Sequence, residues 1–217
     1  MKTKLVAFDV DGTLIDGLDS IWPVIHDGLG ACKIARKKAE TMYFAGEISL
    51  YEWADHDVGL WKGKGATKDR IIDAISSLRL MNGAIDVLET LKKKGVKMAI
   101  VSGSLSIVLD KFIPNYKDYF DYVFVNHLYF DKDGKLHDFE ANSGGASDKA
   151  KALKKIAEEC NIDLKEIAFV GDQFNDVDAV KIAGTGISFN SRSKELDEVA
   201  DIIVRGNDLR EILKFIE

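Results

Sequence analysis

Four short apolar runs constrain the fold of this chain more than any other feature. They are Leu5-Val6-Ala7-Phe8, Lys97-Met98-Ala99-Ile100-Val101, Glu166-Ile167-Ala168-Phe169-Val170 and Gly186-Ile187-Ser188-Phe189, with a weaker fifth over residues 200–204. Each is too short for a helix, and its apolar residues are continuous instead of alternating. Strands of that kind are covered on both faces, as in a parallel sheet. Helical periodicity lies between them. Residues 83–94 space Ile85, Leu88 and Leu91 at helical intervals and stop at Gly95. Residues 148–160 repeat the pattern with Leu153, Ile156 and Ala157, and residues 174–183 run into Gly184. The tail reads as a last helix with Asp208 as its N-cap. This alternation specifies an α/β fold, a doubly wound (Rossmann-like) parallel sheet. Ligands of such sheets collect at the C-terminal strand ends, where strand order reverses.

Two segments break the alternation. Residues 17–81 carry helical patterns and no strand signal, which predicts a helical cap inserted after the first strand. Residues 1–16 and 82–217 are then the α/β core. In the second segment, "YVFVNHLYF" and "KLHDFEA" flank Asp131-Lys132-Asp133-Gly134. Asp-Gly between strand-like runs signals a small β-hairpin. "ANSGGAS" at 141–147 is a loop by composition.

Composition narrows the partners. Hydrophobic residues make up 46% and charged residues 30% of the 217, ordinary for a soluble globular protein. The net charge of −6 argues against nucleic acid and anionic membranes as partners. No apolar run approaches the roughly 20 residues that span a bilayer. Cys32 and Cys160, far apart and with no secretory segment in view, read as free thiols in a reducing compartment. The expectation is a cytoplasmic monomer or homodimer that acts on a small molecule.

Carboxylates stand at two of the strand ends. Asp9 and Asp11 follow the first run, and Asp172, Asn175 and Asp176 follow the third. Four aspartates on one sheet edge repel one another unless a cation joins them. Magnesium prefers carboxylate oxygens and commonly works beside phosphate. A carboxylate can attack phosphorus, and a second one two residues on can protonate the leaving oxygen and later activate water. Residues i and i+2 of a strand point the same way, as that division of labour needs. The second run ends in Ser102-Gly103-Ser104, where a hydroxyl and main-chain N–H groups at a helix start make a phosphate cradle. The remaining need is a cation for the transferring group. Lys149 is the first choice and Lys151 the second. Taken singly these are turns and solvated faces; three strand ends with one chemistry point to a single site.

The set "FDVDGTLID", "VSGS", a lysine and "GDQFNDVDA" resembles the haloacid dehalogenase superfamily of aspartate-nucleophile phosphotransferases, over nearly the whole chain. The resemblance implies that Asp9 is the nucleophile and a magnesium ligand. It implies that Asp11 is the general acid/base, with its main-chain carbonyl on the metal, and that Thr13 holds the loop. Ser102 and Gly103 match the phosphate-binding pair, Lys149 the lysine, Asp172 the direct metal ligand, and Asp176 the acidic residue behind it. Asn175 matches a polar group that reaches substrate or phosphate. An aspartate at position 11 implies phosphate ester hydrolysis over dehalogenation. Phosphomutase or phosphotransferase chemistry, or phosphometabolite binding without catalysis, are the alternatives on that scaffold.

Within the superfamily the chain is similar to the phosphoserine phosphatase family. The early helical insert, the hairpin and the ending "ADIIVRGNDLREILKFI" carry this likeness. In that family a glutamate of the insert meets the substrate amine and an arginine meets its carboxylate. Spacing puts Leu18 at the glutamate position, with Asp19 beside it. The other stretch, "GEISLYEWADHDVG", offers Asp55 or Asp57 and no arginine. Trp22, Trp53 and Trp61 read as packing within the insert, and His26 and His56 as surface. An aromatic wall over the leaving group is the other reading. Arg36, Arg70 and Arg79 read as solvated helix faces.

Overall fold

The structure, a computed structural model, describes residues 2–142 and 145–216. Of the loop expected at 141–147, residues 143 and 144 lie outside the described residues. In chain order the strands and helices begin with β1 (Leu5–Phe8), β2 (Ile15–Asp16), α1 (Ile21–Gly28), α2 (Lys33–Phe44), α3 (Leu50–Gly63), α4 (Lys68–Ala74) and β3 (Arg79–Leu80). Next come α5 (Ala84–Lys93), β4 (Lys97–Leu105), α6 (Ser106–Phe112), β5 (Tyr122–Phe130), β6 (Leu136–Glu140) and α7 (Ala146–Cys160). The remainder is β7 (Ile167–Gly171), α8 (Val177–Ile182), β8 (Thr185–Phe189), α9 (Lys194–Val199) and β9 (Ile202–Val204).

A seven-stranded sheet has the order β6-β5-β4-β1-β7-β8-β9. Every pairing is parallel except β5 with β6. The run that becomes β1 is apolar throughout because each face meets its own core. Val6 and Phe8 join one core, and Leu5 and Ala7 join the other. The first core takes in α5 (Val87, Leu88, Leu91) and α6, and the second takes in α7 (Leu153, Ile156) and α8. Strand order reverses at β1, between β4 and β7, so the crevice expected of an open α/β sheet lies at their C-terminal ends.

The hairpin forms as expected. β5 and β6 pair antiparallel, and Gly134 takes the left-handed φ of +74° that the turn requires. Three expectations are corrected. The segment 17–81 holds a strand after all: β3 pairs antiparallel with β2 at the base of the insert. The stretch is only two residues, too short to give an apolar signature. The chain after Ser102 is not a helix start, because β4 continues to Leu105 through a register shift against β5 and α6 begins at Ser106. The tail, capped by Asp208 as expected, winds as a 3₁₀-helix over Leu209–Phe215.

The insert also differs in its polar residues. His26, expected on the surface, is 1% exposed, and Trp61 Nε1 donates to its Nδ1 at 3.2 Å. Arg36, expected on a solvated face, donates from Nε to Asp57 Oδ2 at 3.0 Å and is mostly buried. Trp61 is fully buried and stacks on Trp22, with ring centroids 5.2 Å apart.

Candidate active site

Three neighbouring strands deliver the polar groups. Asp9 follows β1, Ser102 lies near the end of β4, and Asp172 follows β7. The turn after β1 is tight: the Leu14 and Ile15 N–H groups both donate to Val10 O at 2.9 Å. Gly12 sits in it at φ +81°, and a Cβ there would come within 2.2 Å of Asp172 Oδ2. Only glycine lets the first motif close against the aspartate after β7. Thr13 Oγ1 donates to Asp172 Oδ1 at 3.3 Å and fastens the same contact from its other side.

Lys149, of the two candidate lysines, is the one that meets the carboxylates. It lies on α7, has no exposed surface, and donates from Nζ to Asp9 Oδ1 at 2.5 Å and to Asp176 Oδ1 at 2.6 Å. Lys151 is exposed and pairs with Asp148. Asp176 Oδ2 accepts from the main-chain N–H groups of Asp172 and Gln173, each at 3.0 Å. Asp176 thus shapes the loop that presents Asp172. Asn175 is half-buried in the same one-turn helix, Phe174–Asp176.

Carboxylate oxygens of Asp9, Asp172 and Asp176 lie within 4.8 Å of one another. Burial pushes the Asp9 carboxyl up to about 7, with Lys149 pulling it down. Burial pushes Asp172 up to about 10, and Asp9 and Asp176 add to the rise. Burial lowers the Lys149 ammonium, but Asp176 and Asp9 outweigh it and hold that pKa above the usual range. Three carboxylates facing one ammonium leave two negative charges uncompensated when all are ionised. An all-oxygen, doubly negative site suits a hard divalent cation.

Asp11 stands apart from that cluster. Its Oδ1 accepts from Ser104 Oγ at 2.7 Å, and its Oδ2 accepts from the Ile21 N–H at 2.7 Å. Burial raises its pKa, against both hydrogen bonds. Ser102 is buried, and its Oγ accepts from the Ser104 N–H at 3.1 Å. Gly103 O accepts from Trp22 Nε1 at 3.0 Å and from Asn126 Nδ2 at 2.9 Å, so α1 and β5 together fix the Gly103–Ser104 peptide. The contacts of Ser104, Trp22 and Asn126 escaped sequence reasoning. The signals were faint: a second hydroxyl in "SGS", and the polar pair Asn126-His127 inside the apolar run of β5.

The family model for haloacid dehalogenase-like hydrolase matches residues 3–184. The phosphoserine phosphatase of Methanocaldococcus jannaschii is 33% identical over 217 residues, covering 100% of this chain and 99% of that protein. The phosphoserine phosphatase of Lactococcus lactis subsp. lactis is 31% identical, covering 98% of this chain and 95% of its own. A solved substrate-bound phosphoserine phosphatase complex superposes with a TM-score of 0.79 at 32% identity, each chain covered in full. The buried aspartates and lysine at the β1–β4–β7 crevice and these likenesses agree: the chain belongs to the haloacid dehalogenase-like hydrolases, as a phosphoserine phosphatase-like phosphoric monoester hydrolase.

Proposed function

We propose that the chain is a magnesium-dependent phosphatase that hydrolyses a small-molecule phosphate monoester through an aspartyl-phosphate on Asp9. The observation that carries this reading is Lys149, buried and bridging Asp9 and Asp176, while Asp11 is held separately by Ser104 and Ile21. That difference in setting supports a division of labour in which Asp9 attacks and Asp11 moves a proton. Asp9, Asp172 and the Asp11 main-chain carbonyl would hold Mg²⁺, with Asp176 behind them; the metal supplies charge neutralisation and Lewis-acid polarisation of a phosphoryl oxygen.

The protein's own groups do the rest. The Ser102 hydroxyl, the Gly103 N–H, Lys149 and Asn175 hold the phosphoryl oxygens. Asp9 attacks phosphorus in line, the bond to the leaving oxygen breaks, and Asp11 gives that oxygen its proton. Asp11 carries the proton at Oδ1, since the Ser104 hydroxyl can turn and accept it whereas the Ile21 N–H at Oδ2 only donates. Asp11 then takes a proton from water, the hydroxide displaces Asp9, and phosphate leaves. Residues 17–81 act as a cap that excludes bulk water during these steps.

The relatives' names say phosphoserine. In this chain residues 46–59 carry no arginine, and Asp57 is paired to Arg36 within the insert. A carboxylate clamp of the bidentate kind needs a guanidinium facing the ligand. The leaving group is therefore open to a different chemistry. The test of the reaction is Asp9→Asn with 4-nitrophenyl phosphate and Mg²⁺. Turnover is expected to vanish while the far-ultraviolet circular dichroism persists. More than a few per cent of residual activity would remove Asp9 from the nucleophile's role.

A further inference from the structure

Ser104 is fully buried near the end of β4, and two of its groups face the reacting residues. Its main-chain N–H donates to Ser102 Oγ at 3.1 Å, and its hydroxyl donates to Asp11 Oδ1 at 2.7 Å. One residue therefore links the hydroxyl that would hold phosphate to the carboxyl that would move the proton. The other Asp11 oxygen, Oδ2, accepts from the Ile21 N–H at 2.7 Å. The carboxyl is thus held from two directions, by the sheet and by the first residue of α1. The second torsion of an aspartate is soft, with broad wells in place of sharp rotamers. Hydrogen bonds therefore set the plane of this carboxyl. With the Ile21 contact alone the group can swing about Oδ2, and Oδ1 has no fixed direction.

The backbone that carries Ser104 does not depend on its hydroxyl. On one side Gly103 O accepts from Trp22 Nε1 and Asn126 Nδ2, and on the other Leu105 pairs with Asn126 in the sheet. The residue type matters as much as the place. An acid/base alternates between a protonated and an ionised carboxyl. A hydroxyl rotates, donating to the ionised form and accepting from the protonated one, so a single contact serves both. An ammonium or a guanidinium only donates, and would hold the ionised form alone. Glycine or alanine would hold neither.

We propose, resting on the phosphatase reading above, that Ser104 is a positioning residue for Asp11, whose hydroxyl keeps the carboxyl in one orientation through both halves of the reaction. Before the ester binds, the hydroxyl accepts the proton at Oδ1. When that proton turns to the leaving oxygen, the hydroxyl turns as well and donates to the lone pair left facing it. The bond from phosphorus to the leaving oxygen breaks, its electron pair stays on that oxygen, and the Asp11 proton joins it. Ser104 neither gains nor loses a proton. The contact then holds the ionised carboxyl for its second task, taking a proton from water.

The basicity of the leaving group separates aim from general damage. 4-Nitrophenolate departs without help from a proton, whereas the more basic phenolate needs one. The experiment measures kcat/KM for phenyl phosphate and 4-nitrophenyl phosphate with Mg²⁺, in the native chain and in Ser104→Ala. This constant reports the steps through departure of the phenol and leaves out the later attack of water. In the variant it is expected to fall at least about tenfold for phenyl phosphate and less than about twofold for 4-nitrophenyl phosphate. Equal losses with the two esters would make Ser104 a mere support of the phosphate-binding turn, and would overturn the proposal. Unchanged values for both would overturn it too. Ser104→Gly removes the same hydroxyl and gives the same comparison if the alanine variant does not fold. Turnover of neither ester by the native chain would bring down the phosphatase reading, and the role of Ser104 with it.

Discussion

Lys149 places an ammonium where no solvent reaches it, 2.5 Å from one carboxylate and 2.6 Å from another. Removing one partner of such an arrangement leaves the remaining charges buried and uncompensated. Lys149→Met keeps the length and the burial and deletes the charge. In EDTA the variant is expected to lose about 3–5 kcal/mol in urea unfolding. Turnover is expected to fall at least about a hundredfold, as when one oxyanion donor is removed. Native-like turnover would show that another cation serves the phosphoryl group. Asp9, Asp11, Ser102, Asp172 and Asp176 were legible in the sequence because a polar residue directly after an apolar run has few other reasons to be there. The choice of Lys149 over Lys151 was less so. Two residues apart on a helix they face different sides, and only the docking of α7 on the sheet says which side is inward. Ser104, Trp22 and Asn126 act through contacts 93, 81 and 23 positions away along the chain, which no local pattern encodes.

At the scale of elements, α1 is the joint between insert and sheet. Its first residue holds Asp11 through a main-chain N–H, and its second holds the Gly103 carbonyl through an indole. Trp22→Phe preserves the stacking on Trp61 and removes the donor. With one hydrogen bond lost from the phosphate-binding turn, kcat for 4-nitrophenyl phosphate is expected to drop about tenfold. The thermal midpoint should move little. An unchanged kcat would make the contact incidental to the reaction. The strands β1 and β7 were readable because both their faces are covered, and continuous apolar sequence follows from that. The extension of β4 through Ser102-Gly103-Ser104 was hidden: small polar residues carry weak strand preference, and the pairing resumes only at Leu105 opposite Asn126. The two-residue strands β2 and β3 were hidden by their brevity.

For the whole molecule, the concentration of carboxylates at one sheet edge links metal, pH and stability. The Asp9 carboxyl lies near 7 in the folded protein, raised by burial from an ordinary value of 3.8. Between those values the folded state holds the proton that the unfolded chain releases. That contribution to stability is complete below the lower value and is lost as pH rises through the upper one. Without metal, the urea midpoint is therefore expected to be higher at pH 5.5 than at pH 8. Excess Mg²⁺ binds only the folded carboxylates, so it should raise the midpoint more at pH 8 than at pH 5.5. Equal effects at both pH values would argue that the cluster is not where the metal binds.

β1 is paired along its length on both sides, to β4 and to β7, and the pairing continues into the Asp9 N–H, which donates to Val170 O at 2.9 Å. Helices α1 to α4, by contrast, join the sheet through two strands of two residues each and through scattered hydrogen bonds, among them those of Ile21 to Asp11, Trp22 to Gly103 and Leu136 to Ala66. Amide hydrogen exchange should accordingly be slowest over residues 5–9, requiring opening of the entire sheet, and faster by orders of magnitude over residues 21–74. Asp9, the proposed nucleophile, rides on the last backbone to open. The insert proposed to cover the ester opens first, so on this reading the scaffold can change what it accepts without loosening its grip on the reaction.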